Sequence, residues 1–485
     1  MMRWVLSFLA LAPLMAQNLD RVAVLNEFAE LLSLPNVARN LPDMERNAKL
    51  IVKMYARRGV QLQRLDAAGG PPALYGEIRT PGASRTILFY AHYDGQPVVA
   101  SQWRHGGPFE PVLLGPDGEK RAWPAAEATL GDDWLLQARS ASDDKAPIIA
   151  FLAALDSGVR PKANLKFLFD GEEEAGSPHM RGILERNKEL LKADGMIFCD
   201  GPVHQSRRQL IAFGARGAAS AALTVYGPNH ELHSGHYGNF APNPALMLAH
   251  LLASMKDEDG RVLIAGFYDD AVPLTASERE AIAAIPPVED SLKRAFGLGA
   301  AEMPGKRIDE ALALPALNVQ GLSSGGTGSE ARNVVPAAAT ASLGIRLVKG
   351  MDPRKTASQV VEHIRKQGYF IVEDREPTAE ERRSHPKLCQ VRLGGKGTRA
   401  VRVPLDDPFA ASVVRAVEAA RGPVVKQPTM GGTLPIDVFD ELLGAPIVIV
   451  PIANHDNNQH THNESIRLGN LWDGIATLGA LMAME

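Results

Sequence analysis

A chain of 485 residues is longer than one hydrophobic core usually organises, so two domains are expected. Its 45% hydrophobic and 22% charged residues describe an ordinary soluble globular protein. A net charge of −4 gives no electrostatic reason to expect nucleic acid or an anionic membrane as a partner.

Residues 1–17 combine an early Arg3, a short apolar centre and a small residue, Ala16, near the break. That pattern predicts a secretory signal peptide over 1–16 and an exported, periplasmic or secreted, protein. The apolar centre is too short for an ordinary membrane span. A buried N-terminal helix is the competing reading. The two cysteines, Cys199 and Cys389, do not make a disulfide framework. Cys199 ends an apolar run and is expected to be a buried free thiol.

In chain order, Asp20 is placed to cap a helix ending before Pro35, and a second helix is expected over 43–58. A strand over 86–91 runs into His92-Tyr-Asp94-Gly95. A helix over 145–155 follows a polar loop. The apolar run Leu165 to Phe169 reads as a buried strand ending in Asp170, Gly171 and the acidic triplet Glu172, Glu173, Glu174. A helix over 180–191 and a strand over 196–199 follow, then Asp200-Gly201-Pro202. Strands alternating with helices imply a mainly parallel α/β sheet, with its site past the carboxyl ends of the strands. The pattern changes near Ala215. An α+β insertion is expected over 215–395, between catalytic parts at 17–214 and 396–485. The stretches 256–315 and 374–399 resist assignment.

The acidic triplet is the centre of the chemical reading. Adjacent carboxylates at the mouth of a buried strand repel each other, and a divalent cation offsets that repulsion. A solvated acidic turn is the plainer reading. His92-x-Asp94, Asp143-Asp144, Asp200 and His460-x-His462 supply further strand-end or loop clusters of imidazole and oxygen ligands. No cysteine takes part, which excludes a structural zinc knuckle. Imidazole plus carboxylate suits catalytic zinc, with manganese or cobalt as alternatives.

These motifs resemble the dinuclear-metal peptidases of clan MH, which include carnosine-type dipeptidases, glutamate carboxypeptidases, aminoacylases and succinyl-diaminopimelate desuccinylase. The dipeptidase branch is the most similar, through His92-Tyr-Asp-Gly-Gln-Pro-Val98, Pro108-Phe-Glu-Pro-Val112, Leu232-His-Ser-Gly235 and Ile345-Arg-Leu347. The resemblance implies that His92, Asp143 and Asp200 hold one metal ion. Asp143 as bridge, Glu174 and His460 would hold a second. Asp94 would orient His92. The pattern Glu-Glu-x-Gly-Ser, met by Glu173-Glu174-Ala-Gly-Ser177, makes Glu173 the general base and Glu172 a structural acid. The pattern His-x-x-Asn-Glu selects His460 over His462. The family's Arg-Gly-x-x-Asp-x-Lys-Gly is here Arg139-Ser-Ala-Ser-Asp143-Asp-Lys-Ala146, with both glycines replaced.

The resemblance further implies a homodimer, with His233 of the insertion donating to the oxyanion of a partner's site. Arg346, with Gly432 and Thr433, would bind a substrate carboxylate. The expected function is an exported dinuclear metallohydrolase cleaving dipeptides or other small peptides, with two divalent ions, zinc foremost. An aminoacylase or deacylase acting on N-acyl amino acids has the same metal site, and a substrate panel separates the two. A non-catalytic binding protein on a peptidase fold would be expected to lack a ligand or the base. A serine hydrolase is disfavoured, because Ser323-Ser-Gly-Gly-Thr is not a nucleophile elbow.

Overall fold

The computed structural model describes residues 19–125 and 128–485. The expected signal peptide, 1–16, lies outside the described residues. Among them an eight-stranded sheet runs in the order Leu62–Leu65, Ala73–Ile78, Asn164–Asp170, Thr86–His92, Gly195–Phe198, Ile447–Ile449, Leu210–Ala212 and Val425–Gln427. The four central strands, from Asn164–Asp170 to Ile447–Ile449, are mutually parallel. Ala73–Ile78 and Leu210–Ala212 flank them in antiparallel pairing. The fold is α/β, and its parallel centre aligns the carboxyl ends of four strands along one edge.

Burial on both faces explains why the central strands read as apolar runs. Phe167 and Phe169 pack on one face with Phe89, Phe151 and Ile197, under the helices Arg21–Leu32, Leu41–Ala56, Lys145–Asp156, Pro408–Arg421 and Leu468–Met482. Leu168 points to the other face and joins Tyr90, Phe198 and Phe439. Tyr90 and Phe198 stack there with centroids 3.8 Å apart. Each such fully buried large side chain stabilises the sheet by roughly 1.5–3 kcal/mol. Caps start the first two helices: Asp20 accepts the Ala23 amide at 2.9 Å, and Asn40 accepts that of Asp43 at 3.4 Å.

A second sheet, five-stranded, carries Ala316–Ser323, Ala338–Leu347, Gly217–Tyr226, Leu388–Leu393 and Phe370–Glu373 in that order. Its core includes Leu223, Leu343, Ile345, Val360 and Ile364, with the helices Pro244–Ala253 and Pro353–Lys366 against it. The strand Leu388–Leu393 comes from a stretch whose charges obscured it. The expected helix over 180–191 is broken at Asn187 into Met180–Arg186 and Lys188–Leu191. A small antiparallel sheet pairs Ser465–Arg467 with Leu135–Gln137. That pairing carries the loop after Gln137 against the loop before Ser465, which brings Asp143 near His460.

Candidate metal centre

The edge of the main sheet gathers the ligand-type residues. His92 ends its strand in register with Asp170. Asp170 accepts the Ser177 hydroxyl at 2.6 Å and the Tyr90 hydroxyl at 3.0 Å, which anchors the acidic turn to the sheet. Asp200 follows the neighbouring strand, and His460 lies on the loop after Ile447–Ile449. His460 has a φ of 62°, a sparsely populated conformation for a non-glycine residue. It is His460 that reaches the cluster, whereas the exposed His462 hydrogen-bonds, among the described residues, to the hydroxyl of its neighbour Thr461 alone.

Asp143 stands between the two histidines. Its Oδ1 lies 3.0 Å from His92 Nε2 and its Oδ2 lies 3.0 Å from His460 Nε2. Asp200 Oδ2 is 3.9 Å from His92 Nε2, and Glu174 Oε2 is 3.3 Å from His460 Nε2. Ligand atoms of Asp143, Glu174 and His460 lie within 4.8 Å of one another, as do those of His92, Asp144 and Asp200. Asp144 belongs to the candidate pair Asp143-Asp144 of the sequence, although the family resemblance assigns the ligand role to Asp143 alone. Asp144 is buried, and its Oδ2 also accepts the backbone amide of His92 at 3.2 Å.

Asp94 holds the acidic turn as well as facing His92. Its two oxygens accept the backbone amides of Glu173 and Glu174, each at 3.0 Å. His92 Nδ1 lies 3.2 Å from Asp94 Oδ1, a close charge contact rather than a well-formed hydrogen bond. Glu172 turns away and pairs with His179 at 2.9 Å, while Glu173 lines the cavity beside Asp143 and Asp200. Gln96 donates to Glu174 at 2.7 Å and Gln459 to Asp143 at 3.3 Å. Gln96 belongs to the motif His92 to Val98 but has no role assigned there, and Gln459 carries no sequence signal that marks it.

Glu464 organises the loop where glycines are replaced. Fully buried, it accepts the amides of Ser140, Ser142 and Asp143, each at 3.0 Å, and the Arg139 guanidinium at 2.7 Å. Ser140 adopts a φ of 64°, a conformation that favours glycine. Asn36 donates to its hydroxyl at 2.8 Å, so side-chain anchoring compensates for the lost freedom. Glu464 was legible only as the end of the His-x-x-Asn-Glu pattern.

The electrostatics favour a cation. Burial and the charge of Asp143 push both Asp200 and Glu174 up to about 7. Burial also raises Glu173 and Asp144 well above the carboxylate range. Burial opposes the charged form of Asp143, yet His460 and His92 hold its carboxyl low. The Asp143 hydrogen bond raises His460 to about 9. Crowded, desolvated carboxylates with two imidazoles are the donor set of a hard or borderline divalent ion, so the residues fit a metal centre.

The cluster opens into a cavity of about 470 Å³. Arg346, Gly432 and Thr433 line its other side, and Arg346 donates to the Thr433 hydroxyl. His233 does not line it. It is exposed on the insertion, and its Nδ1 accepts the Gly235 amide at 3.1 Å.

The model of Peptidase family M20/M25/M40 matches residues 88–484, and the chain belongs to that family. It is an enzyme of the dipeptidase-like metallopeptidase kind. The chain is 26% identical over 422 residues to a Cys-Gly metallodipeptidase of Candida albicans, covering 85% of this chain and 81% of the relative. It is 26% identical over 420 residues to the Beta-Ala-His dipeptidase of Homo sapiens, covering 84% and 76%. Among solved structures, an M20 family metallo-carboxypeptidase from Sulfolobus solfataricus superimposes with a TM-score of 0.77 at 28% identity, covering 95% of this chain and 98% of that one.

The expectation of export is corrected. Cys-Gly metallodipeptidases of three yeasts align with between 85% and 92% of the chain, and they speak against an exported protein. No described helix is long and apolar enough to cross a membrane.

Proposed function

We propose that the enzyme hydrolyses dipeptides at a two-metal centre, with His92, Asp143 and Asp200 holding one ion and Asp143, Glu174 and His460 the other. The observation that carries this is the position of Asp143, one oxygen 3.0 Å from each histidine. Asp144 is the further carboxylate within reach of the first ion. Two divalent ions, zinc foremost, supply Lewis acidity toward an amide carbonyl and a more acidic water.

Glu173 takes the proton of the attacking water and returns it to the leaving amine. Burial raises its pKa, which suits a carboxylate that must carry a proton between steps. Asp94 fixes Glu173 and Glu174 through their amides, and so sets the position of base and ligand together. Arg346, beside Thr433 and Gly432, takes the substrate carboxylate. The dipeptidase names of the relatives support this substrate class over larger peptides.

The insertion completes the site from a partner subunit. Phe240 is 85% exposed and Leu246 and Leu322 are each 60% exposed, all on the insertion. The strand Ala316–Ser323 is an edge strand there. A homodimer that covers this apolar surface would bring the exposed His233 over the neighbouring cavity, where its imidazole could donate to a developing oxyanion. The test of the proposed function is metal content together with hydrolysis of a panel of dipeptides and N-acyl amino acids. Two equivalents of metal and dipeptide turnover are expected, and turnover confined to N-acyl amino acids would overturn the reading.

A further inference from the structure

Arg216 is a cation beside the cavity with no acidic partner among the described residues. Its Nε donates to the Gly431 carbonyl at 2.9 Å, and its backbone amide to that of Met430 at 3.2 Å. Gly431 lines the cavity, and a Cβ placed on it would stand 3.7 Å from Arg216 Nη2. The residue is half-buried, yet its terminal nitrogens are open to solvent and hold no hydrogen bond among the described residues.

Arg346 pairs with Ala218 in the register of the strands Ala338–Leu347 and Gly217–Tyr226, and Arg216 immediately precedes the second of these strands, two residues before Ala218. Among the described residues neither arginine forms an ion pair with a carboxylate. Burial and the charge of Arg346 push the Arg216 guanidinium down to about 10. A half-buried guanidinium without a counter-charge, with a second arginine acting on it, is costly unless an anion meets it. One carboxylate satisfies one planar fork, so two forks call for two.

We propose that Arg216 is a second anion-binding residue of the site, and that the enzyme prefers dipeptides whose C-terminal residue is aspartate or glutamate. The inference rests on the dipeptidase reading above. Arg346 takes the main-chain carboxylate and Arg216, deeper behind Gly431, takes the side-chain carboxylate. Gly431 lines the cavity and accepts Arg216 Nε through its carbonyl, and a Cβ there would press on Leu312 at 3.0 Å.

The test compares Ala-Glu with its neutral isostere Ala-Gln in the metal-loaded enzyme, in Arg216→Gln and in Arg216→Lys. In the wild type, kcat/KM for Ala-Glu is expected to exceed that for Ala-Gln at least about tenfold, chiefly through KM, the scale of a charge-assisted contact. In Arg216→Gln the ratio collapses towards one, and in Arg216→Lys most of it returns. A wild-type ratio near one overturns the proposal. So does a ratio unchanged in Arg216→Gln, since Arg216 would then only brace Gly431. Calorimetric binding of both dipeptides to Glu173→Gln separates this from the dipeptidase reading. Should no dipeptide be hydrolysed, tighter binding of Ala-Glu that disappears in the double variant with Arg216→Gln still supports the anion site, and equal binding overturns it.

Discussion

Glu464 Oε1 accepts the backbone amide of Asp143 at 3.0 Å, although 321 residues separate the two in sequence. The contact joins the loop after Leu135–Gln137 to the loop before Ser465–Arg467, at the residue that stands between His92 and His460. Glu464→Gln would set an amide NH₂ against donors now satisfied by a carboxylate. Breaking a fully buried charged network of this kind costs about 3–5 kcal/mol. A lower denaturant midpoint and weaker metal retention are expected, read by chemical denaturation and metal analysis. An unchanged midpoint would show that the loop is held by other means.

Asp143 and His92 should differ in what they hold. Asp143→Ala is expected to lose both ions, because its two oxygens face two histidines. His92→Ala should weaken chiefly one. Metal analysis after gel filtration decides this, and two tightly held equivalents in Asp143→Ala would remove Asp143 from the bridging role.

Metal should stabilise the protein more at about pH 7 than at about pH 5. In the metal-free protein Asp200 and Glu174 titrate near 7, above an unfolded carboxyl near 4. The folded state therefore binds more protons between those values, and this contribution to stability is lost as pH rises through about 7. Bound cations offset the exposed repulsion in that window. The increment in Tm between chelated and metal-loaded protein is expected to grow by several degrees from the lower pH to the higher. An equal increment at both would mean that the carboxylates do not meet the ions.

The proposed contribution of His233 across a dimer predicts complementation. His233→Ala and Glu173→Gln are each expected to be inactive. After subunit exchange, a mixed dimer has one site with an intact base and an intact partner histidine. Random exchange makes about half the dimers mixed, so roughly a quarter of wild-type activity should return. No recovery despite proven exchange would place the action of His233 within its own chain, or nowhere.

The site was legible where chemistry is concentrated at strand ends. His92, Asp94, Asp143, Glu173, Glu174, Asp200 and His460 each sit in a short polar motif after an apolar run or in a polar loop, and the fold gathers them at one end of the cavity. Gln459 and Arg216 were not legible, and Asp144 and Gln96 were visible only as members of motifs without a role, because those roles depend on contacts between distant segments. The parallel centre of the sheet was readable from runs buried on both faces. Its antiparallel flanks were not, since strands such as Leu210–Ala212 are three residues long and carry no periodicity. Leu388–Leu393 was hidden by the surrounding charges, although Leu388 to Val391 are buried.

Metal content and dipeptide turnover in Glu173→Gln, measured beside Glu172→Gln, decide whether Glu173 moves the proton at the proposed two-metal centre. Glu173 lines the cavity, whereas Glu172 is occupied by His179 at 2.9 Å. The expected result is two retained equivalents of metal in Glu173→Gln, with turnover at least about a hundredfold lower. Full turnover in Glu173→Gln, with Glu172→Gln inactive, would contradict it.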